Sequence, residues 1–582
     1  MTTTAFDFFP LLLPAVFGLP LALAIGLPIR RWQPVIIHLA PWSAVPALTA
    51  LAWIAPNEGV EMPWLFLELN LALDSTGRIF LFFTSVLWLL AGIYAQSYLA
   101  NNPKRKRFFF FYLLSMSGNL GLIISHDVVS FYVFFALMSF ASYGLVVHNG
   151  DSEALNAGRI YMILVVVGEV MLFTALVWQA GKVGSILLKD FSSIPPNGIV
   201  VGLILIGFGI KVGALPVHVW LPLAHPAAPT PASAVLSGAM IKAGLLGWLR
   251  FLPIGQLAMP QWGTLCIIAG LLAAYYAVAV GLTQGNPKAV LAYSSISQMG
   301  LMTIGVGLAI GWPQTVSTAI PAILIYSSHH ALAKGALFLG VGVIGATEDR
   351  RSARRLAAAG MIFASLALAG APLTSGAVAK IALKIPLKAI QDSWLSGLNL
   401  LLPLAAVGTT LLMSRLMFIV TVHAPNHGKP RFGMWLSWTL TILLTAAAVW
   451  LMPAARKAVS DTLQLISLWN ALWPVAAAVL ISVIVWLKAT RNEWSMDHKI
   501  PQGDILSAFS YMVHLVFEIG SVQTQRIRRI LSSTLTNLRG ERPPVGIIRE
   551  WTIRLESRLT DWQTACLIFV LLTGCLFVWA LD

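Results

Sequence analysis

An all-α membrane protein that crosses the bilayer about sixteen times is the fold class this sequence predicts, on three observations. Of its 582 residues, 58% are hydrophobic and only 10% are charged, whereas an average soluble domain carries roughly a quarter charged residues. Apolar stretches of about 20 residues, the length that spans roughly 30 Å of hydrocarbon, recur from residue 8 to the end. The basic residues behind the net charge of +15 gather in short loops between those stretches. That placement follows the positive-inside rule and argues against a nucleic-acid surface.

The spans fall near residues 8–28, 33–55, 79–99, 107–125, 128–148, 160–180, 197–214, 231–252, 262–284, 289–310, 317–345, 358–391, 397–421, 434–453 and 469–488, with a last one at 562–580. The first follows Asp7 with no basic stretch before it and ends at Arg30 and Arg31 without a small-residue cleavage site, so it reads as a retained span. Arg30 and Arg31, Lys104 to Arg107, Arg350 to Arg355, Lys429 with Arg431, and Arg526 to Arg558 mark alternate loops, whereas loops 253–262 and 311–315 hold almost no Lys or Arg. The marked face is expected to be cytoplasmic, both termini outside, and the location a bacterial inner membrane. From 489 to 560 the chain turns polar and basic, with Leu506, Phe509, Val513, Val516 and Phe517, then Ile527, Ile530, Leu531, Leu535 and Leu538, at helical spacing. This predicts a lateral amphipathic helix, resting on headgroups or bracing the cytoplasmic side.

Two spans are interrupted. Pro216, Pro222, Pro226, Pro229 and Pro231 crowd the apolar stretch 213–231, and Gly370, Pro372 and Gly376 do the same further on. Each proline removes a helical donor, and broken helices are tolerated at membrane depth only where they line a cavity or are buried in protein, which makes both breaks candidate ion sites. Cys266, Cys566 and Cys575 all lie inside apolar spans without a CxxC pair, so no thiolate-held cluster, metal or other cofactor is expected. The string Gly340-Val-Gly-Val-Ile-Gly345 matches GxGxxG in form. It has no preceding strand and lies within a span, where close helix packing accounts for it.

An ionisable group in the bilayer interior costs at least about 2.5–3.5 kcal/mol and is a functional candidate by default. Glu169 is the one carboxylate placed mid-span, set against Lys211, Lys242, Lys334, Lys380 and Lys384, with His329 and His330 beside Lys334. So many cations with one acid cannot all be charged at low dielectric, and a lysine held near neutrality can take a proton and release it. Glu169 would set how readily Lys211 does so, and His330 suits a relay. Snorkelling to an interface is the competing reading, strongest for Lys384.

The stretch from Lys211 through Pro216, His218, Trp220, Pro222, His225 and Ala228-Pro-Thr-Pro-Ala-Ser233 to Lys242 resembles the core motif of the antiporter-like subunits of respiratory complex I. That family includes membrane subunits of group 4 hydrogenases, of formate hydrogenlyase and of multisubunit cation/proton antiporters. Lys288-Ala-Val-Leu-Ala-Tyr-Ser-Ser-Ile-Ser-Gln298, His330-Ala-Leu-Ala-Lys334 and Pro372-Leu-Thr-Ser-Gly-Ala-Val-Ala-Lys380 are similar to further family blocks, and the likeness covers roughly residues 70–420. It implies two inverted five-span repeats, 107–252 and 253–421, each with a broken helix and a central lysine. Around them would lie N-terminal spans 1–106, C-terminal spans 422–488, the lateral helix 489–560 and a terminal span 561–582. It also implies a proton path through Glu169, Lys211, Lys242, His330, Lys334 and Lys380, supported by His218, His225, Pro216, Pro222, Pro372, His329 and Lys384. One departure stands out: the family's usual fifth-span glutamate is replaced by Ala136, while Glu169 aligns with an acidic position of the sixth span. The implied function is proton translocation, without redox chemistry of its own, in a complex I-like NADH–quinone oxidoreductase or a group 4 hydrogenase or formate hydrogenlyase, alongside partner membrane and peripheral subunits. The alternative is a secondary transporter, a cation/proton antiporter or inorganic-carbon uptake subunit, with no redox partner.

Overall fold

A computed structural model describes residues 9–191, 193–347, 351–390, 392–422, 431–490 and 500–505. The chain clusters into two units, Met1–Gln502 and Gly503–Asp582, of which the first holds the helical bundle. The lateral helix expected at 489–560 and the terminal span expected at 561–582 lie, apart from residues 489–490 and 500–505, outside the described residues.

Apolar runs with internally satisfied backbones form helices, as they must in hydrocarbon. Among the described residues, eleven helices are long and apolar enough to cross a membrane, and Gln33–Leu39 with Pro41–Trp53, bent by 45°, adds a twelfth. The expected sixteen is not reached by that measure, because Leu11–Gly26 and Gly198–Val212 are shorter helices, the helix Val316–Gly345 is not among the eleven, and the last expected span is not described. Neighbouring helices meet through glycines. A Cβ at Gly270 would lie 2.5 Å from the Gly300 carbonyl, and one at Gly263 would lie 2.6 Å from the Gly307 carbonyl, so Pro260–Leu282 and Pro287–Gly311 touch backbone to backbone. Lipid tails are as apolar as leucine, and such close packing is what holds helices together in a bilayer. The Gly340 string belongs to the same class: it lies in the helix Val316–Gly345, where a Cβ at Gly340 would come within 2.8 Å of Trp438 Nε1.

At one end of the bundle a hairpin interrupts the helical pattern, Gly59–Met62 pairing antiparallel with Leu69–Ala72. The Asn70 N–H donates to Asp127 at 2.9 Å, the His126 N–H donates to the Asn70 carbonyl at 2.8 Å, and the Leu188 N–H donates to the His126 carbonyl at 3.0 Å. Asp127 also caps the helix Val128–Val146. Arg250, near the end of the 230–251 span, donates to the carbonyls of Leu122, Ile123 and Ser125 at 3.0, 2.6 and 2.8 Å and pairs with Asp74 at 3.5 Å. These are the orphan acceptors at the end of the helix Arg105–Ile124, and one guanidinium with its rigid fork of donors serves all three. At the opposite end Lys104 and Arg107 donate to the carbonyls of Asn149, Val147 and His148, placing cations at a helix C-terminus where the dipole favours them.

His126 sits in the loop that Arg250 ties down. Burial, reinforced by the Arg250 guanidinium, lowers its imidazole to about 4. Because the folded value lies below the unfolded one of about 6.5, the unfolded chain binds the proton first and stability falls as pH drops through the window from about 6.5 to about 4. Thermal unfolding of the detergent-solubilised protein is expected to show this acid loss, and His126→Asn is expected to flatten part of it. An unchanged slope in the variant would show that His126 does not carry the effect.

Candidate functional site

The helix Gly198–Val212 stops at Gly213, whose φ of +78° suits a residue without a side chain. The N–H groups of Gly213 and Ala214 both take the Gly209 carbonyl at 2.9 Å, and Trp220 Nε1 takes that of Ile210 at 2.7 Å. After a gap holding Pro216 the chain resumes as Trp220–Ala227 and then Thr230–Val235. Not every proline breaks a helix here, as the sequence suggested. Pro222 and Pro231 lie in first turns, where the missing N–H has no acceptor to lose.

What the prolines leave behind is unpaired acceptors. Pro229 cannot donate to the carbonyl of His225, and Ser233 Oγ does so at 3.0 Å. The carbonyl of Ala227, at the end of the first of these helices, accepts from Asn149 Nδ2, also at 3.0 Å. The carbonyls of Pro226 and Ala228 both accept from Lys288 Nζ, at 3.3 and 2.6 Å. Ser233 and Lys288 belong to the motif blocks, but their role as replacement donors was not read from the sequence.

Lys211 is buried in the last turn before the break, and its Nζ donates to Tyr161 Oη at 3.1 Å. Tyr161 in turn donates to the Ser139 carbonyl at 2.8 Å and packs on Trp220 at 5.1 Å. Glu169 lies buried on the same helix as Tyr161, Ser152–Val183, within electrostatic reach of Lys211. The two helices approach through Gly168 and Gly207: a Cβ on either would lie 3.3 or 3.2 Å from the other's carbonyl. Tyr132 Oη donates to the Glu169 backbone carbonyl at 3.4 Å. Tyr132 and Ser139 therefore contact the Glu169 helix from Val128–Val146, and Ala136, four residues from one and three from the other, shares their face. Ala136 thus lies on the part of its helix that packs toward the helix of Glu169. Tyr161 is the residue of this group that sequence reasoning missed.

Lys242 follows a π-turn at Leu236–Met240, and its Nζ donates to the Ser237 carbonyl at 2.5 Å. Ser237 Oγ lies 2.7 Å from Ser295 Oγ, and Ser295 donates to the Leu291 carbonyl at 3.0 Å. That carbonyl also accepts from Lys334 Nζ at 2.6 Å, and Lys334 donates to Ser294 Oγ as well. A continuous polar thread thus joins Lys242 to Lys334 through two serines. His330 is fully buried between them, with neither ring nitrogen hydrogen-bonded among the described residues and with both lysines in electrostatic reach. His225 stacks on Phe338 at 4.6 Å, again with both ring nitrogens unpartnered, and feels Lys334, Lys288 and Lys242. His218 packs edge-on against Tyr276 at 5.7 Å.

The second broken helix runs as Arg351–Ala369 and Ser375–Lys384, with Gly370 at φ +83° and Pro372 in the gap. Lys380 Nζ donates back across the gap to the Ala369 carbonyl, and a Cβ at Gly370 would lie 2.8 Å from Lys380 Cδ. Lys211 therefore precedes its break whereas Lys380 follows its own. His329 Nδ1 shares a hydrogen bond of 2.9 Å with Ser375 Oγ, and the ring lies in reach of Lys380 and Lys242. Lys380 and Lys384 border a small cavity of about 50 Å³ whose wall includes Leu402, Ser467 and Asn470. The fold thus gathers Lys242, His330, Lys334 and His225 into one cluster, sets His329 and Lys380 beside it, and keeps Glu169 with Lys211 as a separate group.

Residues 125–411 match the model of the NADH:quinone oxidoreductase/Mrp antiporter transmembrane family. Hydrogenase-4 component B of Escherichia coli (strain K12) is 30% identical over 311 residues, covering 51% of this chain and 45% of that protein. The putative antiporter subunit mnhA2 of Staphylococcus haemolyticus (strain JCSC1435) is 31% identical over 389 residues, covering 62% and 48%. The chain spans about half the length of these curated relatives. Among solved structures, the Mrp complex from Dietzia sp. DQ12-45-1b matches with a TM-score of 0.69 at 24% identity, over 91% of this chain and 62% of that one. The membrane-bound sulfane sulfur reductase, an archaeal respiratory membrane complex, matches with a TM-score of 0.64 at 20% identity, over 79% and 99%. At such identities the two structures speak for the fold alone. The family segment takes in both broken helices and every intramembrane lysine from Lys211 to Lys380, so residues 125–411 of this chain form a transmembrane segment of the NADH:quinone oxidoreductase/Mrp antiporter family.

Proposed function

We propose that this chain translocates protons as one membrane subunit of an energy-converting assembly, through Glu169, Lys211, Lys242, His330, Lys334 and Lys380. The observation that carries this reading is the row of buried cations running between two broken helices with a single carboxylate at one end. A scaffold gains nothing from such a row, because each charged group at membrane depth costs at least about 2.5–3.5 kcal/mol. Lys242 and Lys334 share one polar thread, and two like charges so placed disfavour each other. A proton arriving at one therefore promotes its departure from the other. His330 between them can accept at one ring nitrogen and release at the other.

The repeats 107–252 and 253–421 are part of the same reading. The described helices from Arg105 to Phe251 and from Pro260 to Val422 each amount to five passes when the broken spans are counted once. An odd number of passes starts the second set on the opposite face, which makes the two halves inverted. Electron transfer in partner subunits, as in a complex I-like NADH–quinone oxidoreductase or a group 4 hydrogenase, would drive the path, and the likeness to hydrogenase-4 component B supports this. The likeness to antiporter subunit mnhA2 supports the second reading, a cation/proton antiporter subunit without redox partners. Purification in mild detergent decides between them: co-purifying iron–sulfur or hydrogenase-like subunits favour the first, further antiporter subunits the second.

Lys211→Ala and Lys380→Ala are each expected to lower proton uptake by inverted membrane vesicles at least tenfold while the protein accumulates normally, since a titrating group at a break has no substitute. Lys384→Ala should lose less, because a side chain one turn on can reach the interface. Normal pumping in either of the first two variants would remove that lysine from the path.

Glu169→Gln should lose most translocation across the pH range and Glu169→Asp should keep part of it, because the acid compensates Lys211 in a buried site and its removal leaves that cation alone. Equal rates for Glu169→Gln and the unaltered protein would make Glu169 a tolerated buried acid.

A further inference from the structure

Lys288 differs from the other lysines of the site. Lys211, Lys242 and Lys334 are 3%, 0% and 0% exposed, whereas Lys288 is only half-buried, at the start of the helix Pro287–Gly311. That end of the helix joins a loop on the face marked by the basic residues. Its ammonium closes the end of Trp220–Ala227 by holding the carbonyls of Pro226 and Ala228, two acceptors freed where prolines interrupt the helical ladder. Asn149, from the loop that Lys104 and Arg107 grip, holds Ala227 between them.

Within electrostatic reach of Lys288 lies His225, 0% exposed, with both ring nitrogens unpartnered among the described residues. A buried nitrogen without a hydrogen bond costs about 1–3 kcal/mol, and an internal water bridging polar groups removes that cost. The cations within electrostatic reach of His225 are Lys334, Lys288 and Lys242, while Phe338 covers one face of the ring. Lys288, His225 and Lys334 thus form a polar branch from the half-open end of the helix to the central cluster, separate from Glu169 and Lys211.

We propose that Lys288 and His225 form the inlet by which protons from the face of the basic loops reach the central lysines. The Lys288 ammonium passes a proton through water to one ring nitrogen of His225 and regains one from solution. The other ring nitrogen releases its proton to the neutral amine of Lys334. At Lys288 and at His225 one N–H bond breaks and one forms, at Lys334 one forms as the amine becomes an ammonium, and a single proton enters. Glu169 and Lys211 remain necessary as the charges that set when the central lysines accept it. The inlet rests on the proton-translocating reading above.

The test is proton uptake by inverted vesicles containing the whole assembly, for Lys288→Met, Lys288→Arg and His225→Gln, each checked for normal abundance. Arginine keeps the donors for both carbonyls but stays protonated, so it separates a carbonyl clamp from a proton carrier. The inlet predicts at least a tenfold loss in all three variants, deeper at pH 8 than at pH 6 because loading from solution becomes limiting. Unaltered rates in Lys288→Arg, or in His225→Gln, alongside an inactive Lys211→Ala would overturn the inlet and leave the main reading standing. A native protein that moves no protons in the same vesicles would overturn both.

Discussion

A backbone carbonyl cannot be left without a donor in hydrocarbon, and the arrangement of this membrane domain derives from that constraint. Continuous helices meet it internally. Wherever the chain departs from a regular helix, an acceptor is set free and a side chain comes to it: Trp220 to Ile210, Ser233 to His225, Asn149 to Ala227 and Lys288 to Pro226 and Ala228. The same rule operates at helix ends, where Arg250 gathers three carbonyls.

The intramembrane lysines use the rule in reverse. With one carboxylate mid-span, their ammonium groups need other oxygen partners, and backbone carbonyls supply them. Lys242 finds one at the π-turn, Lys380 one at the break after Ala369, and Lys334 one on Leu291. A carbonyl stabilises an ammonium without neutralising it. A lysine so held stays sensitive to its neighbours' charge, which suits a group that must gain and lose a proton. Lys211 is the exception, since it is held by the Tyr161 hydroxyl and faced by Glu169. The end of the row that has an acid and the part that lacks one are therefore built from different chemistry.

Glycine contacts set the distances on which this depends. Gly168 and Gly207 bring the helices of Glu169 and Lys211 together, and Gly370 leaves room for Lys380 to fold back across its break. A methyl group at Gly168 would meet the partner helix at 3.2 Å and one at Gly207 would meet Leu172 at 2.6 Å, and either would push the charged groups apart. The hairpin, the 125–127 loop and Arg250 then tie the ends of the spans on one face, so the helices that carry the site keep their register.

Apolar length, charge placement and proline spacing are local properties, and from them the sequence by itself determined the membrane class, most of the spans up to residue 488, both breaks and the identity of the buried ionisable groups. Each stems from a cost imposed on a residue by hydrocarbon, whatever its neighbours. Tertiary structure alone decided which groups meet. The Ser237–Ser295 bridge joins residues 58 apart, Lys334 reaches Leu291 across 43, and Lys288 serves carbonyls about 60 positions earlier. No periodicity encodes such pairings. The hairpin at 59–72 was equally hidden, because a short pair of strands at a bundle's end draws its order from Asp127 and His126 more than from its own pattern. Tyr161 was illegible for the same reason: a tyrosine in an apolar span reads as packing until the fold sets its hydroxyl against a lysine fifty residues away, where burial leaves that lysine no water to turn to.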